Sequence, residues 1–146
     1  ALFPSATAEA RRHYRPAGSS EADVRVAVAR LFGDTQFSFG ARGIARSLAA
    51  AGVPAYRFRH DGVTGQAGHG DEIPDLFALD EPVGSAMADA WIRFAGGQAP
   101  HPDWPPYGPD EPLWVFGASP ALGGSEGDAR LDFLDDYYAV QEQGRQ

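Results

Sequence analysis

Cysteine is absent from the 146 residues, and so are lysine and asparagine. Without cysteine the chain can form no disulfide, no thiolate zinc site and no thiol nucleophile, although this says little about its compartment. Positive charge is scarce and carried by arginine alone: 12 arginines stand against 20 acidic residues, for a formal net charge of −8. The all-arginine usage reads as a coding-composition bias. The acidic balance excludes the clustered basic surface that grips a nucleic-acid backbone, so no nucleic-acid partner is expected. The lack of lysine also removes a P-loop reading from the glycine-rich stretch 65–70, whose pattern requires one. No apolar run reaches the roughly 18 residues that mark a membrane span. Ala1-Leu2-Phe3-Pro4-Ser5 has neither the basic start nor the apolar stretch of a signal peptide. The compartment is left open.

What is present is a globular composition, 43% hydrophobic and 12% aromatic, with 18 glycines and 12 prolines spread without a period. The length suits a single domain with many turns, and the aromatics argue against disorder. No internal repeat is found. Residues 1–20 read as an irregular lead-in. Ser20, followed by Glu21 and Asp23, marks a helix start, and Val24, Ala27, Val28, Leu31 and Phe32 form an apolar stripe that Gly33 is expected to end. A second helix fits 38–51, with Ile44, Leu48 and Ala51 on one face. Residues 53–59 alternate with period 2 and read as a strand, Tyr56 and Phe58 facing away from Ala55, Arg57 and Arg59. A glycine-rich loop rich in titratable groups fills 60–74, a helix runs from about Pro82 to Phe94, and a proline-rich connection leads to an apolar strand over 113–117. Ala129 to Gln143 reads as a terminal helix with apolar Leu131, Leu134 and Tyr138. Trp91, Phe94, Trp104, Tyr107, Trp114 and Phe116 are read as core. The pattern is α/β, but two strands make an inadequate sheet, so the chain reads as part of a larger fold.

Among four histidines, His13 and His101 sit in polar, proline-flanked stretches. His69 differs: Gly68 and Gly70 bracket it, and Asp71 and Glu72 follow. Glycines beside an imidazole permit unusual backbone angles and close approach of a substrate or partner. A loop just beyond a strand is where α/β folds assemble their sites. A metal set of His60, His69, Asp71 and Glu72 lacks any recognised ligand spacing, so no metal and no cofactor are expected.

Ala55-Tyr56-Arg57-Phe58-Arg59-His60, followed by Gly65-Gln66-Ala67-Gly68-His69-Gly70-Asp71-Glu72-Ile73, resembles the type-B carboxylesterase/cholinesterase family. There a YxYxFxH-like strand leads into GAxHGxEL around the catalytic histidine. Met87, Trp91, Phe94-Ala95, Gly97, Pro100 and Trp104-Pro105-x-Tyr107 resemble the family's M…W…FAxxGxP…WPxY helix and loop. Gly33-Asp34 with Phe37 resembles its sDxxFxxP segment, with Gly40 and Ala41 where a proline would be expected nearby. Leu113 to Gly117 resembles a late strand. The likeness runs in order from about residue 20 to 120.

The resemblance implies an α/β-hydrolase fold of which residues 1–146 are the C-terminal segment, a few strands of a larger mixed sheet flanked by helices and incomplete without an N-terminal chain. It implies a carboxylic-ester hydrolase with His69 as the triad histidine. Glu72 would lie in a polar shell behind the triad, and Asp34 would be a supporting group. Such hydrolases carry their nucleophile on a G-x-S-x-G elbow, in the order Ser, acid, His. Ser38, Ser47, Ser85, Ser119 and Ser125 are all read as lacking the flanking glycine pattern, so no elbow is expected in this chain. The family acid lies farther upstream of the histidine than the 68 residues that precede His69. Serine and acid are therefore expected from a complementary N-terminal polypeptide, and the substrate is expected to be a small-molecule ester. The alternative is an inactive interaction module or subunit related to the esterase fold.

Overall fold

The computed structural model describes residues 2–62, 67–77, 82–123 and 128–144. In chain order the elements are helix α1 (Thr7–His13), helix α2 (Glu21–Gly33), a π-helical turn (Asp34–Ser38), helix α3 (Phe39–Ala50), strand β1 (Phe58–Gly62), helix α4 (Glu72–Phe77), helix α5 (Pro82–Ala95), strands β2 (Trp114–Gly117) and β3 (Ala121–Leu122), and helix α6 (Asp128–Gln143). They fall into two compact units, Ala1–Gly43 with Glu126–Gln146, and Ile44–Ser125.

The first unit is helical. Its lead-in is not irregular as expected: Thr7–His13 is a helix, and Phe3, Ala10 and Tyr14 are buried against Leu131, Phe133 and Leu134 of α6. The sequence hides this because α1 itself buries one small residue, Ala10, and Phe3 anchors it from outside. Ser20 starts α2 as expected, through a reciprocal cap: its Oγ accepts from the Asp23 N–H at 3.1 Å, and the Asp23 carboxylate accepts from the Ser20 N–H at 3.1 Å.

The expected stop at Gly33 does not occur. Gly33 keeps a right-handed helical φ of −59°, and the chain continues through one wider turn in which the Phe39 N–H donates to the Asp34 carbonyl five residues back. Thr35 Oγ1 donates to the Leu31 carbonyl at 2.8 Å and tightens the junction. A glycine ends a helix where it takes a left-handed angle, which Gly33 does not. Of the expected α2 stripe, Ala27 is buried and Leu31 partly so, whereas Val24, Val28 and Phe32 are exposed.

The second unit carries the sheet, with strand order β1-β2-β3. β1 and β2 run parallel and β2 and β3 antiparallel, so the sheet is mixed and has one strand more than expected. A parallel pair needs a crossover connection, and residues 63–113 with α4 and α5 supply it. β1 begins at Phe58, later than expected. Residues 53–57 are extended, and Ala55 O and Arg57 O accept from Tyr107 N (2.7 Å) and Trp114 N (3.0 Å), but the ladder starts only where β2 does. Met87 and Ala90 of α5 pack with Trp104, Trp114 and Phe116 into a core on the sheet, and Trp104 stacks on Trp114 at 5.4 Å between centroids. Four of the six aromatics expected in the core are buried; Phe94 is exposed and Trp91 borders on it. On α3 the buried apolar residue is Ala45, packed with Ala55 and Tyr107, while Ile44 and Leu48 face out.

Candidate active site

β1 delivers the site. Phe58, Arg59 and His60 pair with Trp114, Val115 and Phe116, and then Gly62 pairs with Gly117, so Asp61 is a surplus residue that bulges the strand. Gly62 takes a φ of +61°, which a residue with a side chain adopts at a cost. Arg59 grips Asp61 bidentately, Nε to Oδ1 at 2.7 Å and Nη2 to Oδ2 at 2.8 Å. Bulges bend strands and re-aim the residues beyond them, and they recur beside active sites. Residues 63–66, which include Gly65 and Gln66 of the quoted motif, lie outside the described residues.

The chain then forms a tight turn around His69. The Gly68 N–H donates to Asp71 Oδ2 at 2.6 Å, and the Ile73 N–H to the Gly70 carbonyl at 3.1 Å. Gly70 has a φ of +87°, so glycine is required there by the backbone. Asp71 is more than loop surface: its carboxylate closes the turn that displays the imidazole. His69 is exposed. Glu72, three residues on, opens α4 and is half-buried.

A second histidine enters by a route the sequence does not signal. His60 Nε2 lies 2.8 Å from Asp75 Oδ2 on α4, with the His60 side chain 7% exposed and Asp75 39%. An ionised carboxylate only accepts, so Nε2 carries the proton. His60 Nδ1 is buried and has no hydrogen-bond partner among the described residues. Both ring nitrogens of His60 are thus shut away from an incoming hydroxyl, whereas His69 is a solvent-exposed residue.

Asp34 belongs to the first unit and His69 and Glu72 to the second. Asp34 is buried in the π-helical turn and accepts from Arg130 Nε at 2.6 Å. Burial and the neighbouring Asp34 carboxylate push the Tyr14 phenol well above its ordinary value. Arg42, also buried, reaches Asp132 at 2.7 Å and Asp135 at 3.3 Å. His13 stacks on Phe133, and His101 packs on Trp114 and accepts from the Asp103 N–H, so both are engaged in packing. No group of three or more histidine, aspartate or glutamate side chains among the described residues is arranged to hold a metal ion.

Ser125 calls for one correction. Gly123-Gly124-Ser125-Glu126-Gly127 does spell G-x-S-x-G, between β3 and α6. Residues 124–127 lie outside the described residues. Ser125 follows His69 in the chain, the reverse of the Ser, acid, His order, and β3 is a two-residue antiparallel strand.

Comparison with known proteins adds kinship to this geometry. No family model matches the chain. It is 33% identical to the fumonisin B1 esterase of Sphingopyxis macrogoltabida over a 136-residue alignment that covers 75% of this chain and 25% of that protein. The chain therefore spans about a quarter of that relative's length. Its fold matches part of a solved esterase from Clostridium hathewayi that can hydrolyse aliphatic aromatic polyesters, with a TM-score of 0.61 and 23% identity, over 92% of this chain and 30% of that one. Both of these proteins are esterases, and the mixed α/β arrangement agrees with part of an α/β-hydrolase fold.

Proposed function

We propose that the chain forms the C-terminal part of a carboxylic-ester hydrolase of the type-B carboxylesterase/cholinesterase kind and supplies its triad histidine, His69. The observation that carries this reading is an exposed histidine on a glycine-bracketed turn, beyond a parallel strand, in a chain related to an esterase. The serine, the orienting carboxylate and the oxyanion donors come from the complementary N-terminal polypeptide. A serine hydroxyl attacks an ester poorly until a base removes its proton, and an imidazole suits that task near neutral pH. His69 takes the proton as the serine oxygen bonds to the carbonyl carbon. It returns the proton to the departing alcohol, and then activates water to release the acid from the acyl-enzyme. Glu72 stands behind this histidine at the start of α4. Asp34, held by Arg130, supports the fold rather than the chemistry. Exposed Phe58, Ile92 and Phe94 around the sheet and α5 suit an apolar interface with the N-terminal part.

The test is made on the enzyme assembled from both parts. His69→Ala should lower ester turnover by at least about a thousandfold. Unchanged turnover removes His69 from the mechanism. A serine-directed phosphonate should label the complementary polypeptide and spare this one; label on Ser125 would overturn the division of the triad. If no ester-cleaving partner assembles with a stably folded chain, the interaction-module reading takes its place.

A further inference from the structure

We infer that His60 and Asp75 are positioning residues that lock the His69 turn to the end of β1; this rests on the hydrolase reading for its consequence in turnover, though not for its geometry. The turn is closed internally by Asp71 on the Gly68 N–H. That bond fixes its shape but does not attach it to the sheet. α4, the six-residue helix that comes directly after it, ties the turn to β1. Leu76 packs α4 against the aromatic core, and apolar contact of that kind holds a short helix down without setting its rotation. The neighbouring residue, Asp75, supplies the directional contact: its carboxylate accepts from His60 Nε2 at 2.8 Å, across 15 residues of chain. His60 is the last residue of β1 before the bulge, paired with buried Phe116, so this anchor is tied into the ladder beside the core.

The chemistry of the pair fits a lock better than a second proton-transfer site. Nε2 is committed to Asp75, and Nδ1 is buried, out of reach of a hydroxyl on another segment. Burying a polar ring with one nitrogen unsatisfied is costly, and a phenylalanine would fill a core position at no such cost. The position of the directional bond, between the sheet and the helix immediately after His69, gives that cost a use. Histidine-dependent attack needs the imidazole placed within fractions of an ångström, and misplacement by about 1 Å can cost about a hundredfold in rate.

Two variants separate the possibilities. In the assembled enzyme, Asp75→Ala should lower kcat on p-nitrophenyl acetate by about ten- to a hundredfold with KM little changed. Asp75→Asn, whose amide oxygen still accepts from Nε2, should restore most of that loss. Equal damage from both, or none from Asp75→Ala, overturns the inference. His60→Phe keeps a ring in the core and removes the bond, and guards against an Asp75→Ala variant that does not fold. In it the Gly68 and Ile73 amides should exchange with solvent about tenfold faster, while the Trp114 amide, bonded to Arg57 O, keeps its protection. Unaltered exchange at Gly68 and Ile73 overturns the lock. Faster exchange with unchanged kcat overturns its role in positioning. The hydrolase reading fails separately, if His69→Ala leaves turnover intact while the exchange result stands.

Discussion

The two compact units close themselves by different means. The helical one is fastened by parts of the chain 90 or more residues apart: Arg42 reaches Asp132 and Asp135, Arg130 reaches Asp34, and Phe3 sits against Phe133. The sheet-bearing one is fastened by rings, with Trp104, Trp114 and Phe116 stacked and edge-on beneath α5. Guanidinium-carboxylate pairs are directional and choose their partners, while aromatic packing contributes mainly through the area it removes from water. The unit closed by rings is the one that carries the His69 turn. At the loop itself the contacts are directional, Asp71 on the Gly68 N–H and Asp75 on His60.

The contrast can be tested from either side. The largest effect on stability belongs to the ring-closed unit: Trp104→Ala should cost about 3–5 kcal/mol, read as a fall in Tm. A loss below about 1 kcal/mol would mean that the stack is not what closes that unit. Next comes the helical unit, where the two ends of one ion pair should behave unequally. Arg130→Met strands an Asp34 side chain only 11% exposed and should cost about 2–3 kcal/mol, somewhat less than a fully buried pair. Asp34→Asn leaves Arg130, which is 25% exposed, able to find water, and should cost less. The reverse order, measured by chemical denaturation, would show that the carboxylate is not the costly partner. Ser20→Ala removes the reciprocal cap of α2 and should cost about 1 kcal/mol.

The smallest effect is one of pH. The Tyr14 phenol is raised in the folded state, so that state keeps its proton where the unfolded chain releases it. The associated stability is fully present below the ordinary tyrosine value of about 10 and is lost as pH rises beyond it. With no lysine in the chain, few other groups titrate there. Tyr14→Phe should therefore lack part of the alkaline decline in Tm, with little change at neutral pH; parallel curves would refute the assignment.

What the sequence reveals depends on how local the cause is. Ser20 with Asp23 caps α2 through bonds spanning three residues, and the apolar spacing of α5 and α6 comes from helical geometry, so these elements are legible. Gly33 misleads because glycine's effect depends on the angle it takes, and a wider turn lets it remain helical. The start of β1 is set by where β2 begins, more than 50 residues later, which no alternation can announce. In the site, the His69 turn is legible because its glycines, imidazole and carboxylates are neighbours in the chain. The His60–Asp75 contact is not, since folding alone brings a strand end and a helix together. A histidine ending an alternating strand is the one local hint. Asp34 is legible as a notable residue, but its partner Arg130 lies 96 residues away.

The surplus residue at Asp61 has a consequence for chain length. Side chains along a strand alternate between two faces, so residues before and after the bulge in β1 are counted with opposite parity. Because His60 pairs with Phe116 and Gly62 with the next residue, Gly117, deleting Asp61 would restore a regular pleat and leave both residues on the faces they now occupy. Removing Gly62 as well would take away the residue that pairs with Gly117 and shift the register. This corner of the chain therefore has one codon to spare, at Asp61, and the loss of a pair is the graver injury.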